Sequence, residues 1–376
     1  MKKLLFAFGA MALVCLSSCK KEDENDDDDD VVVETTVAQD KASIAAAQNA
    51  MISCVKALHD GKGVQAMVDF FNLTNGDALD TAFVKQMLDS LPNVLPEGVM
   101  SEEEGFEFDS AAGTYSYSNT TKQWTYANTP TDKIIVNFPS SKSQVSNDAK
   151  FTATKFETIQ LIDGVDTTMM PKSGAVTLAL NGSKTLELNL VNIDYAKAGD
   201  SYIPVAIEAN AYIDPYLITL KETRVGTTTF KVEFDMSNSG SCAYSVDAQV
   251  DLAHDDYANI ADEDVTLVKG TFGFEDFQVD ANVKVSEIAA LGEDPSVADV
   301  NSKFTAVVNY DGKKIGDLKL FEVAPDSVRL YIYYKDNTYD DVEAVYGDDF
   351  KDDMEGVWTD ITGPWEKEEE QPMMKQ

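Results

Sequence analysis

Histidine is nearly absent from this chain of 376 residues, with two in all, and cysteine is scarce, with four. Two imidazoles cannot build a site that needs several, so His59 and His254 stand as isolated candidates. Phosphate-cradling glycine loops, Gly-x-Ser-x-Gly elbows, His-Glu-x-x-His pairs and Cys-x-x-Cys pairs are missing, so the strong sequence signatures of catalysis are missing with them. No stretch approaches the roughly 20 consecutive apolar residues of a membrane-spanning helix. Positive charge is also short: 30 basic residues face 66 acidic ones, for a net charge of −36. Such a field repels phosphate backbones and anionic headgroups, so nucleic acid is excluded as a partner. Glycans, proteins and apolar ligands stay open.

What is present begins with Lys2 and Lys3, an apolar run from Leu4 to Leu16, and Ser17-Ser18-Cys19. A charged region, a short apolar region and a small-residue cleavage site predict a signal peptide over residues 1–18. Residues 19–35 follow as a tether whose Asp26 to Asp30 run has no apolar surface to bury. Leu16-Ser17-Ser18-Cys19 resembles the lipobox of bacterial lipoproteins, and the acidic run behind it resembles the surface-export signal of Bacteroidetes lipoproteins. The resemblance implies acylation of Cys19, attachment to the outer membrane through that lipid, and a body facing the cell exterior. Anchoring chains contribute about 0.8 kcal/mol per buried CH₂, which makes such an attachment durable.

Residues 36–92 carry helical periodicity. Thr36 and Gln39 form a capping box ahead of Ile44, Ala47, Met51, Cys54, Val55 and Leu58, and His59 at the end of that run suits a helix C-terminus. Two shorter helices are predicted around Met67, Val68 and Phe71 and around Leu79, Phe83, Met87 and Leu91. Residues 93–365 form the expected β body, and from about residue 104 the period falls to two, as in Leu186, Leu188 and Leu190 or Tyr244, Val246, Ala248 and Val250. One greasy and one charged face per strand predicts an α+β, mainly β fold: helices packed on a large curved antiparallel meander, half-barrel-like, with a β-sandwich as the alternative. A helical insertion is expected at 286–301, broken by Gly292 and Pro295. A closing helix is expected within Tyr339 to Trp365, and a disordered tail over 366–376.

Two hairpins resemble each other, one turning at Asn181-Gly182 and one at Asp311-Gly312. The shared residues are those that a two-residue turn demands in any case, and turn geometry alone accounts for them.

Candidate sites are few. Cys54 and Cys242 either pair in an oxidising compartment or sit as small buried residues. Asp255, Asp256, Asp262 and Asp264, beside His254, either gather oxygens for calcium or form a wet loop without the EF-hand order. Calcium is the one cofactor left open. Tyr331, Tyr333 and Tyr339, with Trp358 and Trp365, form either a platform for a sugar or peptide or, as the preferred reading, packing beneath the C-terminal segment. The leading expectation is a non-catalytic surface binding or structural module. A periplasmic carrier of an apolar ligand and a glycan hydrolase are the alternatives.

Overall fold

The computed structural model describes residues 35–62 and 100–342 apart from short gaps, together with Phe83, Met87, Ser90 and Leu91. The signal peptide, Cys19, nearly all of the tether, the helix expected around Met67 and the tail all lie outside the described residues. The fold is mainly β with helix at its N-terminal side, as the change in periodicity predicts.

In chain order the elements are α1 (Val37–His59), β1 (Met100–Ser101), β2 (Gly105–Phe106), α2 (Phe108–Ala111), β3 (Gly113–Ser118), β4 (Gln123–Ala127), β5 (Lys133–Phe138) and β6 (Ala149–Thr154). β7 (Glu157–Asp163), β8 (Asp166–Leu180), β9 (Ser183–Ala198), β10 (Ser201–Ile213), β11 (Tyr216–Arg224), β12 (Thr229–Ser237), β13 (Tyr244–Leu252), β14 (Val265–Phe274) and β15 (Phe277–Val283) follow. After the short helices α3 (Val285–Ala289) and α4 (Val297–Asn301) come β16 (Phe304–Tyr310), β17 (Lys313–Ala324), β18 (Ser327–Tyr334) and β19 (Tyr339–Asp341). The insertion expected at 286–301 is thus two helices, with Gly292 at φ +95 between them. Tyr339 opens a strand where a helix was expected, because its backbone pairs with Tyr333 of β18; the rest of that expected helix lies outside the described residues.

The chain divides into two compact units. The first holds residues 35–55, 195–206 and 219–342 and is called here the disulfide unit. Its strands β12 to β19 pair consecutively and antiparallel. Alternation decides the faces: Phe274, Phe277, Val279, Val308, Leu318, Leu320, Ile332 and Tyr334 are buried, and their sequence neighbours point the other way. α1 starts as its sequence predicts, with Thr36 N–H donating to Gln39 Oε1 (2.8 Å) and Gln39 N–H to Thr36 Oγ1 (3.3 Å). Its buried face presents Ile44, Met51 and Cys54. Cys54 is disulfide-bonded to Cys242, Tyr244 Oη donates to the carbonyl of Met51 (3.4 Å), and Lys41 Nζ meets Asp340 Oδ1 at 2.9 Å.

The second holds the described residues of 56–194 and 207–218 and is called the tryptophan unit. Here β3 pairs antiparallel with β4 but parallel with β5, a departure from the purely antiparallel expectation. β5, β6, β8 and β9 then pair antiparallel. The core gathers Phe83, Met87, Tyr115, Tyr117, Trp124, Val136, Phe138 and Leu178. Trp124 Nε1 donates to the Met87 carbonyl (3.2 Å) and to Ser90 Oγ (3.1 Å), which satisfies the one polar atom of its ring. Burial raises the Tyr115 hydroxyl pKa to about 12, with Tyr126 adding to the shift, and its Oη donates to the Ala111 carbonyl at 2.8 Å.

The two hairpins that look alike in sequence share more than their turns. Asn181 and Gly182 have φ of 53 and 78, Asp311 and Gly312 of 49 and 67. Thr185 in one and Ile315 in the other is the extra residue of a bulge, three positions past the turn, and both are buried. Asn181 N–H donates to Asp148 O (2.7 Å) and Asp311 N–H to Asp276 O (2.8 Å), the residue just ahead of the neighbouring strand in each case. Lys184 pairs with Glu187 as Lys314 does with Asp317. A two-residue turn requires neither the bulge nor the anchoring bond nor the ion pair.

Candidate binding face on the C-terminal strands

On β17, Leu318 and Leu320 face the core, so Lys319 and Phe321 face outward; on β18, Ile332 and Tyr334 face in and Tyr331 and Tyr333 out. Register then brings outward residues side by side: Phe321 opposite Arg329, Lys319 opposite Tyr331, Tyr331 opposite Asp341, and Tyr333 opposite Tyr339. The result is a four-ring cluster on the side of the sheet opposite its core. Phe321 stacks on Tyr339 at 5.3 Å with 20° between planes, and meets Tyr331 edge-on at 5.3 Å. Tyr331 meets Tyr339 edge-on at 5.4 Å, and Tyr333 lies 6.4 Å from Phe321. Such pairs add about 0.5–1.5 kcal/mol each beyond area burial, so the cluster is fixed in place before any partner arrives.

Charge borders the rings. Lys319 Nζ sits 4.3 Å from the Tyr333 centroid, and Arg329 pairs with Asp341 at 2.8 Å. Tyr333 Oη donates to Asn337 Oδ1 at 2.9 Å in the β18–β19 turn. In the same turn, the Thr338 hydroxyl and its backbone N–H hold the Asp336 carboxyl below the usual range. Tyr339 remains 55% exposed, the largest opening on the cluster. Rings with both apolar faces and hydroxyl edges suit a partner that is itself part apolar and part polar. Phe321, which completes the platform, was missed in sequence; its alternation with Leu318 and Leu320 was the available signal. Trp358 and Trp365, and with them the C-terminal segment beneath which these rings are expected from sequence to pack, lie outside the described residues.

The other candidates are placed as follows. Cys54 and Cys242 are joined. Asp264 turns to His254, with Oδ1 to Nε2 at 3.1 Å, and its Oδ2 accepts from Ala261 N–H. Asp256 accepts from Asn259, Asp255 is exposed, and Asp262 is outside the described residues. Asp256 and Asp264 therefore spend oxygens on neighbours, and no group of three metal-ligating side chains occurs among the described residues. His59 ends α1, and its side chain is outside the described set.

Two further outer-face features were not legible in sequence. Asp280 accepts from Thr271 Oγ1 (2.8 Å), Gln278 Nε2 (2.7 Å) and Asn309 Nδ2 (2.7 Å), a closed polar set across β14, β15 and β16. In the tryptophan unit, an open depression of about 630 Å³ lies over β5, β6 and β8. No protein-family model, curated protein or solved structure matches this chain.

Proposed function

We propose that this chain is a lipid-anchored, non-catalytic binding protein of a bacterial outer membrane, and that the outward face of β17–β19 contacts its partner. The observation that carries the reading is the ring cluster itself. Phe321, Tyr331, Tyr333 and Tyr339 lie on the side of the sheet opposite its core, where solvation alone would select polar residues. Tyrosine provides large, rigid contact area with a hydrogen-bonding tip and is enriched where proteins bind. The lipobox-like Leu16 to Cys19 and the acidic tether support the anchored location, and the net charge of −36 favours a neutral or cationic partner.

Two experiments test this. Protease shaving of intact and permeabilised cells, read by mass spectrometry, should release the body from intact cells; release only after permeabilisation would move it to the periplasm and overturn the surface assignment. Screens against polysaccharides and host proteins should find a partner whose affinity falls by about 1–3 kcal/mol in Tyr339→Ala or Tyr331→Ala, the size of an interface hot spot. A partner bound equally by both variants would show that this face is not the contact. Robust turnover of a glycan or peptide by the purified protein would sink the non-catalytic reading.

A further inference from the structure

We infer that the depression on the outer face of β5, β6 and β8 is a binding site for a neutral carbohydrate. The argument uses the disulfide unit as an internal control. Counted from the matching turns and their anchoring strands, Asn309 corresponds to Ala179, Gln278 to Lys150, Asp280 to Thr152, and Thr271 to Ile135. In the disulfide unit these positions close on themselves, because three donors converge on the Asp280 carboxylate. In the tryptophan unit the central acceptor is shortened to Thr152 and the amide of Asn309 to the methyl of Ala179. That set of bonds cannot form there. A concavity of about 630 Å³ takes its place, within the size range of small-ligand sites.

The lining fixes the chemistry. Its polar groups include the amides of Asn137, Asn147 and Asn181, the hydroxyls of Thr152 and Thr177, and the ammonium of Lys150. Amides and hydroxyls both donate and accept, as sugar hydroxyls do. The Asp148 carboxylate at the rim is already engaged by Ser140 N–H (2.6 Å) and Ser140 Oγ (2.7 Å). One lysine in a chain of net charge −36 does not draw in a polyanion. The frame is rigid: Asn181 is held by its bond to Asp148 O, and Asn137 Nδ2 reaches Ser116 Oγ at 3.3 Å on the parallel strand β3.

The test is saturation-transfer NMR on the acylated full chain in a non-glycosidic detergent. The probes are neutral pyranose mono- and disaccharides, with glucuronate and glucose 6-phosphate as anionic comparisons. Transfer to at least one neutral sugar is expected, with loss of that signal in the double variant Thr152→Asp/Ala179→Asn, which places in the hollow the carboxylate and the amide that Asp280 and Asn309 supply in the other unit. Asn137→Ala, a surface truncation, should weaken the same signal and serves if the double variant misfolds. Tyr339→Ala should leave it unchanged, which keeps the site separate from the ring cluster. Absence of transfer from every neutral sugar, transfer from the anionic sugars alone, or full binding by folded variants would overturn the proposal.

Discussion

The disulfide unit and the tryptophan unit carry the same hairpin and finish it differently. In each, an Asn-Gly or Asp-Gly turn is followed by a buried bulge residue and an ion pair three residues apart, and is tied back to an aspartate carbonyl. Toward the core both are apolar, apart from the bulge residue Thr185. Toward solvent one is sealed by Asp280 and its three donors and carries a ring cluster farther along the sheet, whereas the other is left concave. Their helical attachments differ as well: a covalent bond from Cys54 to Cys242 in one, an indole hydrogen bond from Trp124 to the Met87 carbonyl in the other. A hairpin's backbone is dictated by turn and register, while its outer side chains are free to diverge because solvent accepts almost any polar residue. Function can therefore differ on a common frame.

The comparison can be broken most forcefully at the disulfide. Its cysteines are 188 residues apart in sequence, and the chain-entropy treatment of such a loop gives about 5 kcal/mol as an upper figure. Cys54→Ala/Cys242→Ala should lower denaturant stability by several kcal/mol, with hydrogen exchange rising first along α1 and β13. Equal loss of protection around Trp124 would show that the two units do not open separately.

A smaller effect tests the equivalence of the turns. Gly182 and Gly312 hold φ of +78 and +67, and a Cβ on either would meet nothing within 4 Å. The cost of Gly182→Ala and of Gly312→Ala is then purely that of a left-handed backbone, about 1 kcal/mol each. Chemical denaturation should find the two equal, and a difference well beyond that size would mean that the turns are not alike.

The smallest effect concerns charged residues of β11 and β12. The Glu233 carboxyl is lowered first by its bond to Lys231 (2.8 Å), with Lys221 contributing, while burial raises Glu222. A lowered carboxylate contributes stability above its unfolded pKa and loses it as pH falls through the folded value; a raised one has the opposite sign. Glu233→Gln should therefore cost less than about 0.5 kcal/mol at neutral pH, given the exposure of the pair, with the deficit shrinking as pH falls below the ordinary glutamate pKa of about 4.3 and gone below the lowered folded value. Glu222→Gln should stabilise at neutral pH, and that gain should vanish on acidification. Melting curves across pH check both signs.

Much of the frame was readable in residues. Thr36 and Gln39 cap α1, Ile44, Met51 and Cys54 form its buried face, and the turns fall at Asn181-Gly182 and Asp311-Gly312. These signals are local, since capping, periodicity and positive φ depend on residues a few positions apart. Tyr331 and Tyr333 were visible as a strand face, but whether they or Ile332 and Tyr334 met the core was not.

The amino-acid sequence by itself determined the mainly β class, the N-terminal helix, the hairpin turns and the repulsion of polyanions, because each follows from short-range pattern or from summed charge. Tertiary structure alone decided that Cys54 meets Cys242, that Phe321 completes a ring cluster with tyrosines from two other strands, and that Thr152 and Ala179 leave a hollow where Asp280 and Asn309 close one. Those outcomes depend on register between strands, and register is a cooperative property of the packed sheet that no single segment carries.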